Sequence, residues 1–108
     1  MNKYLPVGSI VEVKNAKFII AGYLGKKNED NKVYDYLCTI FPFGAISNEY
    51  LFFNNEDIDK VVFIGYQDGL TTYYGEKMGT LRKMYDDNCS EEEIKEYLES
   101  IVLKKNEE

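Results

Sequence analysis

Tyr50-Leu-Phe-Phe-Asn-Asn-Glu-Asp-Ile-Asp-Lys-Val-Val-Phe-Ile-Gly-Tyr66 is the stretch whose reading decides the fold. Two dense apolar runs flank a short acidic one. Tyr50 to Phe53 is bulky and aromatic, which suits a pleated, half-buried surface. Lys60 to Tyr66 holds Val61, Val62, Phe63 and Ile64 without a break, the pattern expected of a strand covered on both faces. Between them, Asn54 or Asn55 caps a short helical turn, with Glu56 and Asp57 at its positive end. Ile58 then points back into the core. The stretch reads as strand, one helical turn, strand.

Working outward towards the N-terminus, Ser9 to Lys14 is a strand with Ile10, Val11 and Val13 as its apolar positions. A tight connection at Asn15-Ala16 leads into a second strand, Phe18 to Tyr23, so the pair is an antiparallel hairpin. Gly22 inside the second strand marks a bulge or a close backbone approach. Gly25 to Lys32 is a polar loop with no apolar anchor and is expected to be mobile. Val33 to Ile40 is the third strand, with Tyr34, Tyr36, Cys38 and Ile40 on one face. Phe41-Pro42-Phe43-Gly44 then breaks the ladder, because Pro42 has no amide donor and Gly44 accepts positive φ. Two phenylalanines in a turn admit two readings. They fold over the open end of a small barrel, or they form an apolar hook for a partner.

Towards the C-terminus, Leu70, Tyr74, Met78, Leu81 and Tyr85 recur at near-helical intervals. Gly75 and Gly79 weaken that helix. Either it starts after Gly79, or the bare face between the two glycines admits another backbone. Ser90-Glu-Glu-Glu93 is a capping box opening a final helix. Ile94, Tyr97, Leu98, Ile101 and Val102 form its apolar stripe, best buried on the same chain.

The fold expected is therefore α+β: a strongly twisted antiparallel sheet or open barrel of about five strands, with one or two C-terminal helices. At 108 residues the chain is one domain, with a β-sheet core over 1–66 and a helical segment over 67–108. Its charge is uneven. Residues 1–66 carry 7 Lys against 8 Asp and Glu, a net −1; residues 67–108 carry 6 Lys and Arg against 11 acidic residues, a net −5. A net charge of −6 repels phosphate backbones and argues against nucleic acid as a partner.

The chemistry-bearing residues are few. The chain has no histidine and only two distant cysteines, Cys38 and Cys89, which excludes the usual zinc patterns. No GxSxG setting surrounds a serine and no Gly-rich phosphate loop precedes a helix. The reading is not an enzyme, with no catalytic residues, no cofactor and no metal. No stretch resembles a signal peptide, and no apolar run is long enough to span a bilayer, so a cytoplasmic protein without membrane insertion is expected.

Several segments, in one order, resemble a known family: Leu5-Pro-Val-Gly-Ser-Ile-Val11, Lys17-Phe-Ile-Ile-Ala-Gly-Tyr23, Tyr34-Asp-Tyr36, Phe41-Pro-Phe-Gly44 and Leu51 to Tyr66. They look like the small Gram-positive proteins of a domain-of-unknown-function family encoded beside LXG polymorphic toxins of the type VII secretion system. The family's turn more often reads Tyr-Pro-Glu-Gly, so Phe43 stands here where an acidic residue is usual. The resemblance implies a cytoplasmic accessory protein, a chaperone or targeting adaptor, that binds an LXG toxin before export. An immunity protein that blocks a toxin domain and a generic protein-binding module are the alternatives. Partner binding is assigned to Tyr34, Tyr36, Phe41 and Phe43, or to an exposed sheet edge that takes a partner strand. A homodimer through a sheet edge or through the Gly75/Gly79 face is a further option.

Overall fold

The computed structural model describes residues 4–27, 29–46 and 49–106. Five strands come first: β1 (Ile10–Val13), β2 (Ala16–Tyr23), β3 (Tyr36–Ile40), β4 (Leu51–Phe53) and β5 (Lys60–Phe63). A single 3-10 turn, Asn55–Asp57, joins β4 to β5, and two helices follow, α1 (Gly69–Asp86) and α2 (Glu91–Asn106). All strand pairs are antiparallel, in the order β4-β3-β2-β1-β5. The first four strands form a meander, and the 3-10 turn carries the chain round to set β5 beside β1. The expected α+β architecture is the one observed.

Local chemistry explains the joints. Lys14 and Asn15 both take positive φ, 50° and 68°, between paired residues Val13 and Ala16. This is the two-residue turn whose twist matches a hairpin. The register slips between Ile20 and Gly22, the bulge that Gly22 suggested. The slip places Tyr23 opposite Tyr36, with the two ring centroids 6.0 Å apart. The Asn54 amide donates to the Asp57 carboxylate at 2.8 Å and the Asp57 amide to the Asn54 carbonyl at 2.9 Å, closing the 3-10 turn, and Ile58 packs against the core as expected.

The core lies in the concave face of the sheet: Val11, Val13, Ile20, Tyr36 and Cys38, with Tyr4 laid across them. The sheet is curled. In a flat sheet β2 and β4, with β3 between them, would stand about 10 Å apart, yet the Phe18 and Phe53 rings meet at a centroid distance of 4.9 Å.

Three expectations need correcting. The third strand, expected over Val33 to Ile40, begins its regular part only at Tyr36; Val33 instead bridges Lys26 in an extension of the β2–β3 hairpin. The polar loop is anchored there: a Cβ on Gly25 would lie 2.7 Å from the Phe52 ring. The largest difference concerns β5. Its unbroken apolar run suggested cover on both faces, but β5 is an edge strand exposed throughout. A continuous apolar run reports the absence of polar residues, not the presence of neighbours.

The helices pack chiefly on each other, burying Leu81, Ile94 and Ile101. α1 is a single helix running through both glycines. Gly75 is buried with its α-carbon side towards the Tyr4 carbonyl, whereas nothing approaches Gly79. Asp68 caps α1 and Ser90 caps α2 with the reciprocal Glu93 bond. The apolar stripe of α2 is only partly covered: Ile94 and Ile101 are buried, while Leu98 and Val102 are exposed.

Candidate functional site

The four residues singled out from sequence do not form one surface. Tyr34 precedes β3 and Phe41 follows it, so they lie about 20 Å apart along the strand direction. Tyr34 leans on Phe52, ring centroids 6.0 Å apart, and its hydroxyl donates to Asp30 at 2.7 Å. That bond to a carboxylate raises the Tyr34 pKa above its ordinary value.

Tyr36 is not a contact residue. It is completely buried, and its hydroxyl is doubly used, accepting from the Leu5 amide at 2.9 Å and donating to the Asn55 side chain at 2.6 Å. The bulge at Gly22 and the lid formed by Tyr4 turn its face of β3 into the core. Burial pushes the Tyr36 phenol up to about 12.

Phe41 and Phe43 remain. The turn that carries them is closed by Gly44 donating to the Ile40 carbonyl at 2.7 Å, with Gly44 at φ 80°. Phe41 is tied to β2: its amide donates to the Lys17 carbonyl at 3.3 Å and the Lys17 ammonium stands 6.0 Å above its ring. Phe43 projects, with 73% of its surface exposed. The expectation that both rings close the barrel therefore fails for Phe43. Ile40, Ile46 and Tyr50 are also exposed and flank the turn in sequence, giving an apolar corner. Such a corner, held by backbone bonds, exposes apolar surface that burial against another surface would remove from water.

A second constellation escaped sequence reasoning. Asp35 is nearly buried, and each oxygen is occupied. Oδ1 accepts from the Tyr4 hydroxyl at 2.5 Å and from Arg82 Nη1 at 2.7 Å; Oδ2 accepts from the Asn55 amide at 2.8 Å. Asn54 accepts from both the Asp35 amide and Arg82. Burial pushes the Tyr4 phenol up, reinforced by its bond to Asp35. Burial pulls the Arg82 guanidinium down, but the Asp86 hydrogen bond and the Asp35 charge outweigh it and raise the value. This cluster joins the N-terminal segment, β3, the 3-10 turn and α1. The one signal available in sequence was that Arg82 is the chain's only arginine.

Ser9 was likewise missed. It is fully buried and its Oγ accepts from the Gly65 amide at 2.9 Å, locking the end of β5 to the segment before β1. Cys89 is half-buried and lines an open groove of about 550 Å³ with Lys26, Tyr85 and Ile94, between the β2–β3 hairpin and α2. Among the described residues no three metal-ligating side chains converge.

Residues 4–72, more than half the chain, match a family described as a domain of unknown function, DUF4176. The chain belongs to this family. No curated protein and no solved structure matches it. The DUF4176 segment contains all five strands, the Phe41–Phe43 turn and the Asp35–Asn54–Asn55 part of the polar cluster, and it ends in the first turn of α1. Arg82 and α2 lie outside it. No helix among the described residues is long and apolar enough to cross a membrane.

Proposed function

We propose that this DUF4176 protein is a cytoplasmic protein-binding module that serves as a chaperone or targeting adaptor for an LXG toxin before type VII secretion. The resemblance over residues 5–66 supports the partner. The observation that carries the binding reading is Phe43, a large aromatic ring held out from a turn that its neighbours hydrogen-bond firmly. An exposed aromatic on a hydrogen-bonded turn, with exposed Ile40, Phe41, Ile46 and Tyr50 close to it in sequence, is the kind of anchor that dominates protein interfaces. The reading is binding and not catalysis. Tyr34 and Tyr36 leave the proposed contact set, and Phe41 and Phe43 stay in it.

The test is co-purification of the tagged protein with the LXG toxin encoded beside it, in parallel with Phe43→Ser. A stable complex with the parent and at least tenfold weaker capture by the variant supports the reading. Free toxin beside a folded parent protein defeats it. Binding to an isolated catalytic domain of the toxin, and not to the rest, replaces the adaptor by an immunity protein.

A further inference from the structure

We infer that the free edge of β5 is a self-association surface, on which a second copy of this chain pairs β5 with β5 about a two-fold axis. The inner edge of β5 is fixed. Asp59, just before it, donates to the Glu12 carbonyl at 2.9 Å, and Gly65, just after it, donates to Ser9 Oγ at 2.9 Å. The outer edge has no strand beside it among the described residues. β4, the other edge, is half-buried throughout, whereas every residue of β5 is exposed.

Exposed apolar edges are what soluble proteins ordinarily blunt with charge, proline or cover. Here only Lys60 supplies charge, at the start of the strand. Val61, Val62, Phe63 and Ile64 are 40–56% exposed, Tyr66 is 74% exposed, and Val7 lies beside them across Gly65.

Three features select a second copy as the occupant. The first is area. Six exposed side chains, Val7, Val61 to Ile64 and Tyr66, offer on the order of 100 Å² each, so two ledges supply at most roughly 1,200 Å², the lower end of a specific interface. The second is two-sidedness. Successive residues of a strand face opposite sides, so an added strand must be apolar on both faces, and β5 itself meets that requirement. The third is charge. The acidity of the chain lies mainly after residue 66, and 60–66 carries a single Lys. Antiparallel pairing centred on Val62 sets Val61 opposite the partner's Phe63 and Lys60 opposite the partner's Ile64, so no like charges meet.

The inference is independent of the Phe43 surface, and its failure leaves that reading untouched. Light scattering after gel filtration at ~100 μM is expected to return twice the monomer mass for the parent and for Phe43→Ser. Val62→Lys, at an exposed position, is expected to return the monomer mass with unchanged circular dichroism. Amide exchange of the unmodified protein supplies a measure that needs no variant: protection at 60–64 is expected to rise with concentration. A parent that stays monomeric, a Val62→Lys protein that stays dimeric, or concentration-independent exchange at 60–64 overturns the proposal. Protection at 60–64 that appears only when the toxin is added also overturns it and hands the edge to that partner.

Discussion

Arg82 Nη1 on α1 and Asp35 Oδ1 at the head of β3 meet at 2.7 Å across 47 residues of chain. Met78 packs against the core beside it, Gly75 faces the Tyr4 carbonyl, and the same Arg82 nitrogen also donates to Asn54 at 3.1 Å. The ion pair is therefore the polar clasp that seats the helical hairpin on the sheet. Neither partner is a surface group: the Asp35 side chain is 13% exposed and that of Arg82 26%.

Removing one member leaves the other charged, desolvated and short of a partner. Arg82→Met is expected to cost about 2 kcal/mol, less than a fully buried pair because Asp35 keeps Tyr4 and the Asn55 amide. Asp35→Asn in the same background should cost less than it does alone. Urea unfolding of the two single variants and the double variant gives the coupling; additive losses would mean that the pair contributes nothing as a pair.

Gly65 and Gly79 should respond to alanine with opposite signs. A Cβ on Gly65 would stand 2.6 Å from the Val7 carbonyl and 3.0 Å from the Ser9 amide nitrogen, both backbone atoms that cannot turn aside. Gly65→Ala is expected to destabilise by ~2–3 kcal/mol. Nothing lies within 4 Å of the corresponding point on Gly79, inside α1. Gly79→Ala is expected to stabilise by roughly 0.5–1 kcal/mol through helix propensity. Thermal melts of the two variants check both signs.

The fold should be lost in alkali. Burial raises the phenols of Tyr4, Tyr23 and Tyr36, the last to about 12, and pushes the Cys38 thiol up to about 12. A raised folded-state value means that the native protein holds its proton more tightly than the unfolded chain. The stability from each group is complete below the unfolded value and declines as pH rises through the folded one. Stability should thus hold to about pH 9 and then fall towards pH 12, by about 1.4 kcal/mol per pH unit for each group in its window. Urea midpoints from pH 8 to 11.5 measure the slope. Tyr36→Phe should flatten it, while costing about 1 kcal/mol at neutral pH through its two lost hydrogen bonds.

Local chemistry made much of this molecule legible. The Ser90–Glu93 cap, the Asn54 turn, the bulge at Gly22 and the hairpin after Val13 each depend on residues within a few positions of one another. The site was less legible. Phe43 was identifiable as an apolar residue in a turn, but whether it closed the barrel or projected from it depended on where the sheet ends.

The sequence by itself determined the α+β class and most of the order of elements, because periodicity, caps and turn residues act over short separations. Only the tertiary structure decided that β5 is an exposed edge, that Tyr36 is core and that Asp35 belongs to Arg82. Those facts depend on which distant segment lies alongside. An apolar or charged residue carries the same chemistry whether its partner is water, a strand or a side chain 47 positions away. Burial is a property of the assembled neighbours, and no local pattern encodes them.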